Sequence, residues 1–299
     1  MEVDIDGRVV SLSNLDKVLF PQVGFTKGQL IDYYTRIAPA VLPHLRGRPL
    51  TLKRYPDGVE GQFFYEKQSP SHRPEWVRTA AVWSRHNGRT IDFTLADDLA
   101  TLVWLAQLGD VELHTSLALA ADVTSPTVLA FDLDPGPPAT IVECARVALD
   151  LREAFAHLGM ETFPKTSGSK GMQVYVPLNA EGVTYAQTKP FAQSIARLLE
   201  RHRPELVVSD MRKSLRTGKV LVDWSQNDEH KTTVSVYSVR ARERPTVSTP
   251  LEWHEVEAVL ESAEPEDLAF ATDEVLARVA EHGDLFAPVS SLVQPLPQL

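Results

Sequence analysis

Thr127-Val-Leu-Ala-Phe-Asp132-Leu-Asp134-Pro-Gly-Pro-Pro138 is the stretch on which the reading turns. An apolar run of this length, halted by Pro-Gly-Pro-Pro, predicts a buried strand over Thr127–Asp134 that stops abruptly. Asp132 and Asp134 are two residues apart, so on a strand their side chains share a face. Two bare carboxylates so placed repel, and a divalent cation between them relieves the repulsion. Mg²⁺ takes oxygen ligands and keeps water and phosphate in its shell. That suits nucleotidyl transfer, where metals activate an attacking oxygen and stabilise a leaving one. The competing reading is a plain turn, since Asp before Pro-Gly is common at strand ends. Asp223 favours the metal: it ends a second apolar strand, Val220-Leu-Val, and supplies a third carboxylate.

Outward from this strand, helical and strand patterns alternate. Ala139–Leu158 reads as a long helix capped by Gly159. Glu161–Leu178 reads as two strands about a Gly/Ser turn at 167–171. Tyr185–Arg201 reads as a helix, Lys219–Asp223 as a strand, and Thr232–Tyr237 as another. Toward the N-terminus, Thr26 is a candidate N-cap for a helix over Gly28–Ala40. Strand-like pieces over 51–95 are broken by Pro56-Asp-Gly58 and by the hairpin signal Asn87-Gly88. Asp97–Leu108 carries Leu99, Leu102, Val103 and Ala106 on one helical face. Thr249-Pro-Leu-Glu252 has the capping-box pattern with Pro at the first helical position. The predicted class is mixed α/β (α+β).

Cations and small residues cluster where phosphates would bind. Lys165-Thr-Ser167-Gly-Ser-Lys170-Gly171 joins hydroxyls, flexible amides and cations in one turn, although it is not a P-loop, and a solvated hairpin turn explains it as well. Arg212-Lys-Ser-Leu-Arg216-Thr-Gly-Lys219 brings four cations up to Asp223, with an exposed basic loop as the alternative. Arg240 offers a bidentate fork for phosphate. His114, in Glu112-Leu-His114, is one of nine histidines and taken alone reads as structural. Phe63-Phe64-Tyr65 offers stacking surfaces for bases, or an aromatic strand core.

Charge bears on partners. The chain has 299 residues and a net charge of −10. Residues 251–299 hold 11 acidic residues against one Arg278, leaving 29 basic and 29 acidic residues in 1–250. The body is neutral and free to carry a local basic face. The lone Cys144 excludes an intrachain disulfide framework and a cysteine zinc cluster. It fits a reducing cytoplasm, and no apolar run reaches the roughly 18 residues of a membrane span.

Phe131-Asp-Leu-Asp-Pro-Gly136, Thr166-Ser-Gly-Ser-Lys-Gly171 and Lys213-Ser-Leu-Arg-Thr-Gly-Lys-Val-Leu-Val-Asp-Trp-Ser-Gln226 occur in that order. Together they resemble the polymerase domain of bacterial DNA ligase D, of the archaeo-eukaryotic primase superfamily. The resemblance runs from Asn14-Leu-Asp-Lys17 to Asp284-Leu-Phe-Ala-Pro288. It implies one primase–polymerase domain over 1–299, with an RRM-like antiparallel sheet flanked by helices plus a second sheet-containing lobe. Catalytic motifs would span 110–240, a 5′-phosphate and template-binding portion 1–95, and an acidic helical segment 250–299.

The resemblance also implies roles. Asp132, Asp134 and Asp223 match metal-binding carboxylates, for Mn²⁺ or Mg²⁺ in a two-metal site. His114 matches an active-site histidine near the incoming nucleotide. Ser167, Lys170 and Arg240 match triphosphate contacts, and Arg216 and Gln226 line the active site. Asn14, Lys17 and Lys27 belong to the part that grips a 5′-phosphate, and Phe63 and Phe64 stack on template bases. The family pattern Ser-Lys-Gly-x-His ends here in Gln173, where the family's histidine contacts the nucleotide. Glutamine donates a hydrogen bond but carries no charge.

The implied activity is template-dependent addition of nucleotides, ribonucleotides by preference, to a primer 3′-OH during double-strand break repair. A primase that starts chains de novo and a non-catalytic end-binding module are the alternatives. Implied partners are DNA with a primer-template, gap or broken end, nucleoside triphosphates, the Ku protein and a separate ATP-dependent ligase, in a bacterial cytoplasm at the nucleoid. No Lys-x-Asp-Gly adenylation motif is present, so a stand-alone polymerase or an excised domain is expected.

Overall fold

The structure is a computed structural model and describes residues 1–84 and 88–297. The mixed α/β expectation is met, and the chain divides into two compact units that alternate along the sequence. One comprises 1–123, 232–248 and 270–284; the other comprises 124–231, 249–269 and 285–299. The segment 110–240, expected to hold the catalytic motifs, is therefore shared by both units. So is the acidic segment 250–299: helix Trp253–Ser262 belongs to one unit and helix Thr272–His282 to the other.

The aspartate-bearing unit is built on a five-stranded sheet. Its order is Phe163–Thr166, Met172–Pro177, Val128–Pro135, Val220–Asp223, Val207–Val208. All neighbours are antiparallel except the last pair. Helices Ile141–His157 and Tyr185–His202 cover one face, where Phe131 meets Phe155 edge-on at 5.6 Å and Phe155 meets Phe191 at 6.2 Å. Phe131 and Leu133 are fully buried on that side. Strand alternation therefore turns Asp132 and Asp134 to the opposite face. Thr140 caps the first helix in a capping box with Glu143, and Gly159 takes φ +72 just beyond its end.

One expectation fails in this unit. The helix after Thr249 starts at Trp253, with Glu252 as N-cap in a capping box with Glu255. Thr249 is instead tied to the neighbouring strand. Its carbonyl accepts from Thr166 N at 2.8 Å, and its N–H donates to Thr166 Oγ1 at 3.0 Å. The Thr-Pro-Leu-Glu pattern was satisfied by a strand-like bridge, because Thr suits extended backbone as readily as a cap.

The other unit holds a four-stranded antiparallel sheet in the order Thr233–Val234, Asp110–Thr115, Leu50–Arg54, Phe64–Glu66. The strand expected over Thr232–Tyr237 is thus only two residues long. It stops at Val234, ahead of a turn in which Tyr237 takes φ +63. Helix Lys27–Leu45 starts at the expected cap: Thr26 and Gln29 form a reciprocal capping box. It packs on helix Leu99–Gln107, capped by Asp98, and on Thr272–His282. Strands Thr79–Ser84 and Arg89–Thr94 pair antiparallel, as the Asn87-Gly88 signal suggested; Asn87 itself lies outside the described residues.

Candidate active site

Register alone assembles the centre of the aspartate-bearing unit. Lys165 lies opposite Gln173, Gln173 opposite Asp132, and Asp132 opposite Asp223. Directly opposed residues share a face, so one row across four strands carries a lysine, an amide and two carboxylates. Asp134 is two residues on from Asp132 on that face, and it is exposed. Asp223 is 9% exposed and Asp132 is half-buried.

Two amides hold the carboxylates. Gln173 Nε2 donates to Asp132 Oδ1 at 3.1 Å, and Gln226 Nε2 donates to Asp223 Oδ2 at 2.9 Å. Asp223 Oδ1 also accepts from Ser225 N at 2.8 Å and Ser225 Oγ at 2.5 Å. Burial first, and then the charges of Asp134 and Asp223, push the Asp132 carboxyl up to about 7, against the hydrogen bond from Gln173 and the charge of Lys165. Like charges on one face are what a hard cation neutralises, so the donor chemistry fits Mg²⁺ or Mn²⁺. Among the described residues, no three His, Cys, Asp or Glu side chains are drawn together into a preformed cage.

Two glycines let the loops close on this row. A Cβ on Gly171 would stand 2.0 Å from the Leu133 carbonyl oxygen, and one on Gly136 would stand 1.8 Å from that of Arg216. Neither clash can be relieved, since both atoms are backbone. Gly171 thus holds the Ser/Lys turn against the aspartate strand, and Gly136 holds the basic loop there. The Gly136 N–H donates to Lys219 O at 2.8 Å. In the turn, Ser167 is buried and its Oγ accepts from Ser169 N and Gly171 N, both at 3.2 Å, while Lys170 is exposed. In the basic loop, Arg216 donates from Nη2 to Met211 O at 2.6 Å, and its Nε is buried without a partner.

The second unit carries the remaining candidates. Glu112 and His114 share a face, with Lys53 opposite Glu112, Thr51 opposite His114 and Tyr65 opposite Lys53. Glu112 is 2% exposed, takes three hydrogen bonds and pairs with a fourth group by charge. Oε1 accepts from Lys53 Nζ at 3.3 Å and Ala241 N at 3.1 Å; Oε2 stands 3.0 Å from His114 Nε2 and 3.3 Å from Arg240 Nε. Burial raises the Glu112 carboxyl, but hydrogen bonding to His114 and the charges of Arg240, His114 and Lys53 together hold it well below the usual carboxylate range. His114 is pushed down by burial and by Arg240 and Lys53, against the upward pull of Glu112.

Lys53 Nζ sits 4.4 Å from the ring centre of Phe63, 5.2 Å from Tyr55 and 5.8 Å from Tyr65. Arg54 lies 5.1 Å from the centre of Phe64. Phe63, Phe64 and Tyr65 remain exposed, at 49%, 43% and 59%. They form a surface rather than a strand core. Elsewhere in this unit Lys27 N donates to Lys17 O at 2.8 Å, and Asn14, at φ +52, accepts from Lys17 N at 3.0 Å. Lys17 pairs with Asp57 at 3.0 Å. Lys27 is buried at the start of its helix, with no carboxylate partner among the described residues. Burial and then Lys17 lower its ammonium below the usual lysine range.

Two residues gained importance only in three dimensions. Lys165 belongs to the sheet row and is fully buried, not part of the phosphate turn. The symmetry of the hairpin about Ser169 was the available signal. Glu112 stands two residues from His114, and that spacing on a strand was the signal for a shared face.

The LigD primase-polymerase domain model matches residues 26–286. The multifunctional non-homologous end joining protein LigD of Mycolicibacterium smegmatis is 41% identical over 284 residues, covering 94% of this chain and 36% of that protein. The bifunctional non-homologous end joining protein LigD of Bacillus subtilis is 31% identical over 274 residues, covering 92% and 43%. The solved polymerase domain from Mycobacterium tuberculosis ligase D, in complex with DNA, has a TM-score of 0.87 at 39% identity, covering 95% of this chain and 99% of that one. The chain spans less than half the length of these curated relatives. Fold and sequence together define the nucleotidyltransferase class of primase–polymerases. The chain belongs to the LigD primase-polymerase domain family.

Proposed function

We propose that this protein is a template-dependent polymerase that adds nucleotides to a primer 3′-OH at gaps and broken DNA ends during non-homologous end joining. The observation that carries this reading is the row Lys165–Gln173–Asp132–Asp223, with Asp134 on the same face. Asp132, Asp134 and Asp223 would hold Mn²⁺ or Mg²⁺, which when bound supplies charge neutralisation for a triphosphate and its attacking hydroxyl. Gln173 and Gln226 orient two of those carboxylates. Ser167 and Lys170, in the turn fixed by Gly171, and Arg216, in the loop fixed by Gly136, are the triphosphate contacts in this reading. His114 and Arg240 keep the nucleotide roles that the family resemblance implies.

Lys17 and the buried, carboxylate-free Lys27 suit a 5′-phosphate, because an anion there would relieve two adjacent cations at a helix N-terminus. The exposed rings of Phe63 and Phe64 suit stacking on template bases. DNA ends, nucleoside triphosphates, Ku and a separate ligase are the partners of this reading, at the bacterial nucleoid. No helix among the described residues is long and apolar enough to cross a membrane. Gln173 does not argue for a dead enzyme, since its amide engages a carboxylate of the row.

The test is extension of a gapped duplex with ribo- and deoxyribonucleotides in parallel, each with Mg²⁺ and Mn²⁺. Wild type should extend the primer, faster with ribonucleotides. No extension by wild type under any of these conditions overturns the polymerase reading.

A further inference from the structure

The Glu112 cluster has a chemical consequence for what His114 can bind. A charged carboxylate only accepts hydrogen bonds. Glu112 is buried and its carboxyl is held charged by Lys53, Arg240 and the Ala241 amide, so the imidazole nitrogen facing it must carry a proton. That nitrogen is Nε2, at 3.0 Å. Burial and the cations Lys53 and Arg240 oppose a second proton on the ring, and Tyr65, whose ring centre is 6.3 Å away, adds no charge. Near neutral pH the other nitrogen, Nδ1, is therefore a bare acceptor. It makes no hydrogen bond among the described residues.

An acceptor nitrogen cannot bond triphosphate oxygens, which are themselves acceptors at neutral pH. It needs an O–H or N–H group. Base pairing engages the Watson–Crick N–H groups of a templated base, and the amino hydrogens left over in the grooves differ from base to base. The ribose hydroxyls are the donors that every incoming nucleotide shares. We propose that Glu112 is a positioning residue that fixes His114 as its Nε2–H tautomer, so that Nδ1 accepts a hydrogen bond from a ribose hydroxyl of the incoming nucleotide. This rests on the polymerase reading and adds to it a chemical role for His114 and one for Glu112.

The tautomer is read directly by long-range ¹H–¹⁵N NMR of the ¹⁵N-histidine-labelled full chain at pH 7.5. The expected result is a protonated Nε2 and a bare Nδ1 on His114. A protonated Nδ1, or an imidazolium, overturns the proposal. The hydroxyl is read by nucleotide binding on a gapped duplex whose primer ends in a dideoxynucleotide, so that no turnover is needed. His114→Ala should weaken binding of the ribonucleotide about 5- to 20-fold. The penalty should vanish for either the 2′-deoxy or the 3′-deoxy nucleotide, whichever lacks the bonded hydroxyl. An equal penalty for all three overturns the proposal. Glu112→Gln should reproduce the sugar dependence of His114→Ala; should that variant not fold, the tautomer and the His114→Ala series still decide. Failure of wild type to extend ordinary primers would sink the polymerase reading separately, because neither readout here requires extension.

Discussion

Two acids in this protein, Glu112 buried and Asp132 half-buried, live in opposite surroundings. Glu112 sits among Lys53, Arg240, His114 and a backbone amide, and its carboxyl is held charged well below the usual range. Asp132 sits among Asp134 and Asp223, and burial and those charges push its carboxyl up to about 7 against the Gln173 amide and the charge of Lys165. The first is satisfied by the chain itself and serves as a fixed post from which other side chains are aimed. The second has three carboxylates drawn to one face, a concentration of negative charge that suits a bound cation. In the proposed reading, the contrast is one between a positioning carboxylate and a ligand carboxylate.

The largest effect that could break this contrast is on activity. Asp132→Ala with Asp134→Ala should lower primer extension by about 10³-fold or more, as loss of metal ligands does. Glu112→Gln should lower it by only about 10- to 100-fold, through misplaced His114 and Arg240. Equal losses in single-turnover assays would erase the distinction.

Stability sharpens it, because the two neutralisations should have opposite signs. Glu112→Gln leaves the part-buried cations Lys53 and Arg240 without their counter-charge and should destabilise by about 2–4 kcal/mol in urea unfolding at pH 7. Asp132→Asn removes a repelled charge and should stabilise the metal-free protein at pH 8 by about 1–3 kcal/mol. The pH dependence follows. The folded pKa of Asp132, about 7, lies above its ordinary 3.8. The folded state therefore binds that proton more tightly than the unfolded chain, and its contribution to stability is lost as pH rises through 7. Glu112 is depressed, so its contribution is present above the ordinary carboxylate range and lost as pH falls below it. Unfolding curves of the two variants against pH should diverge from wild type at opposite ends.

The smallest effect concerns the lysines. Lys17→Ala and Lys27→Ala should weaken binding to a 5′-phosphorylated gap about 5- to 20-fold more than to its 5′-hydroxyl counterpart, and flatten the salt dependence. Equal losses on both DNAs would remove the phosphate grip from the account.

The sequence already held the strand Val128–Pro135, its D-x-D spacing, the helix caps at Thr26 and Gly159, and the hairpin around Ser169. These are local signals of periodicity and turn chemistry. It did not hold the pairing of Asp132 with Asp223 or the burial of Lys165, because strand order is decided by long-range packing. The Thr249 pattern misled for a related reason: a tertiary bridge to Thr166 took the groups that a cap would have used. Glu112 was visible as a neighbour of His114, but its three hydrogen bonds and its ion pair with Arg240 come from three separate segments. Gln173 was visible only as a departure from a motif; the register turns it into a clip on Asp132.

The central claim is that the Asp132 row requires a cation. Titration of Mn²⁺ into the metal-free protein, followed by electron paramagnetic resonance, tests it most directly. Wild type should bind Mn²⁺ more tightly at pH 8 than at pH 6, since metal must displace the proton on Asp132, and the Asp132→Ala, Asp134→Ala variant should lose that binding. Superimposable titrations for the two proteins would contradict the claim.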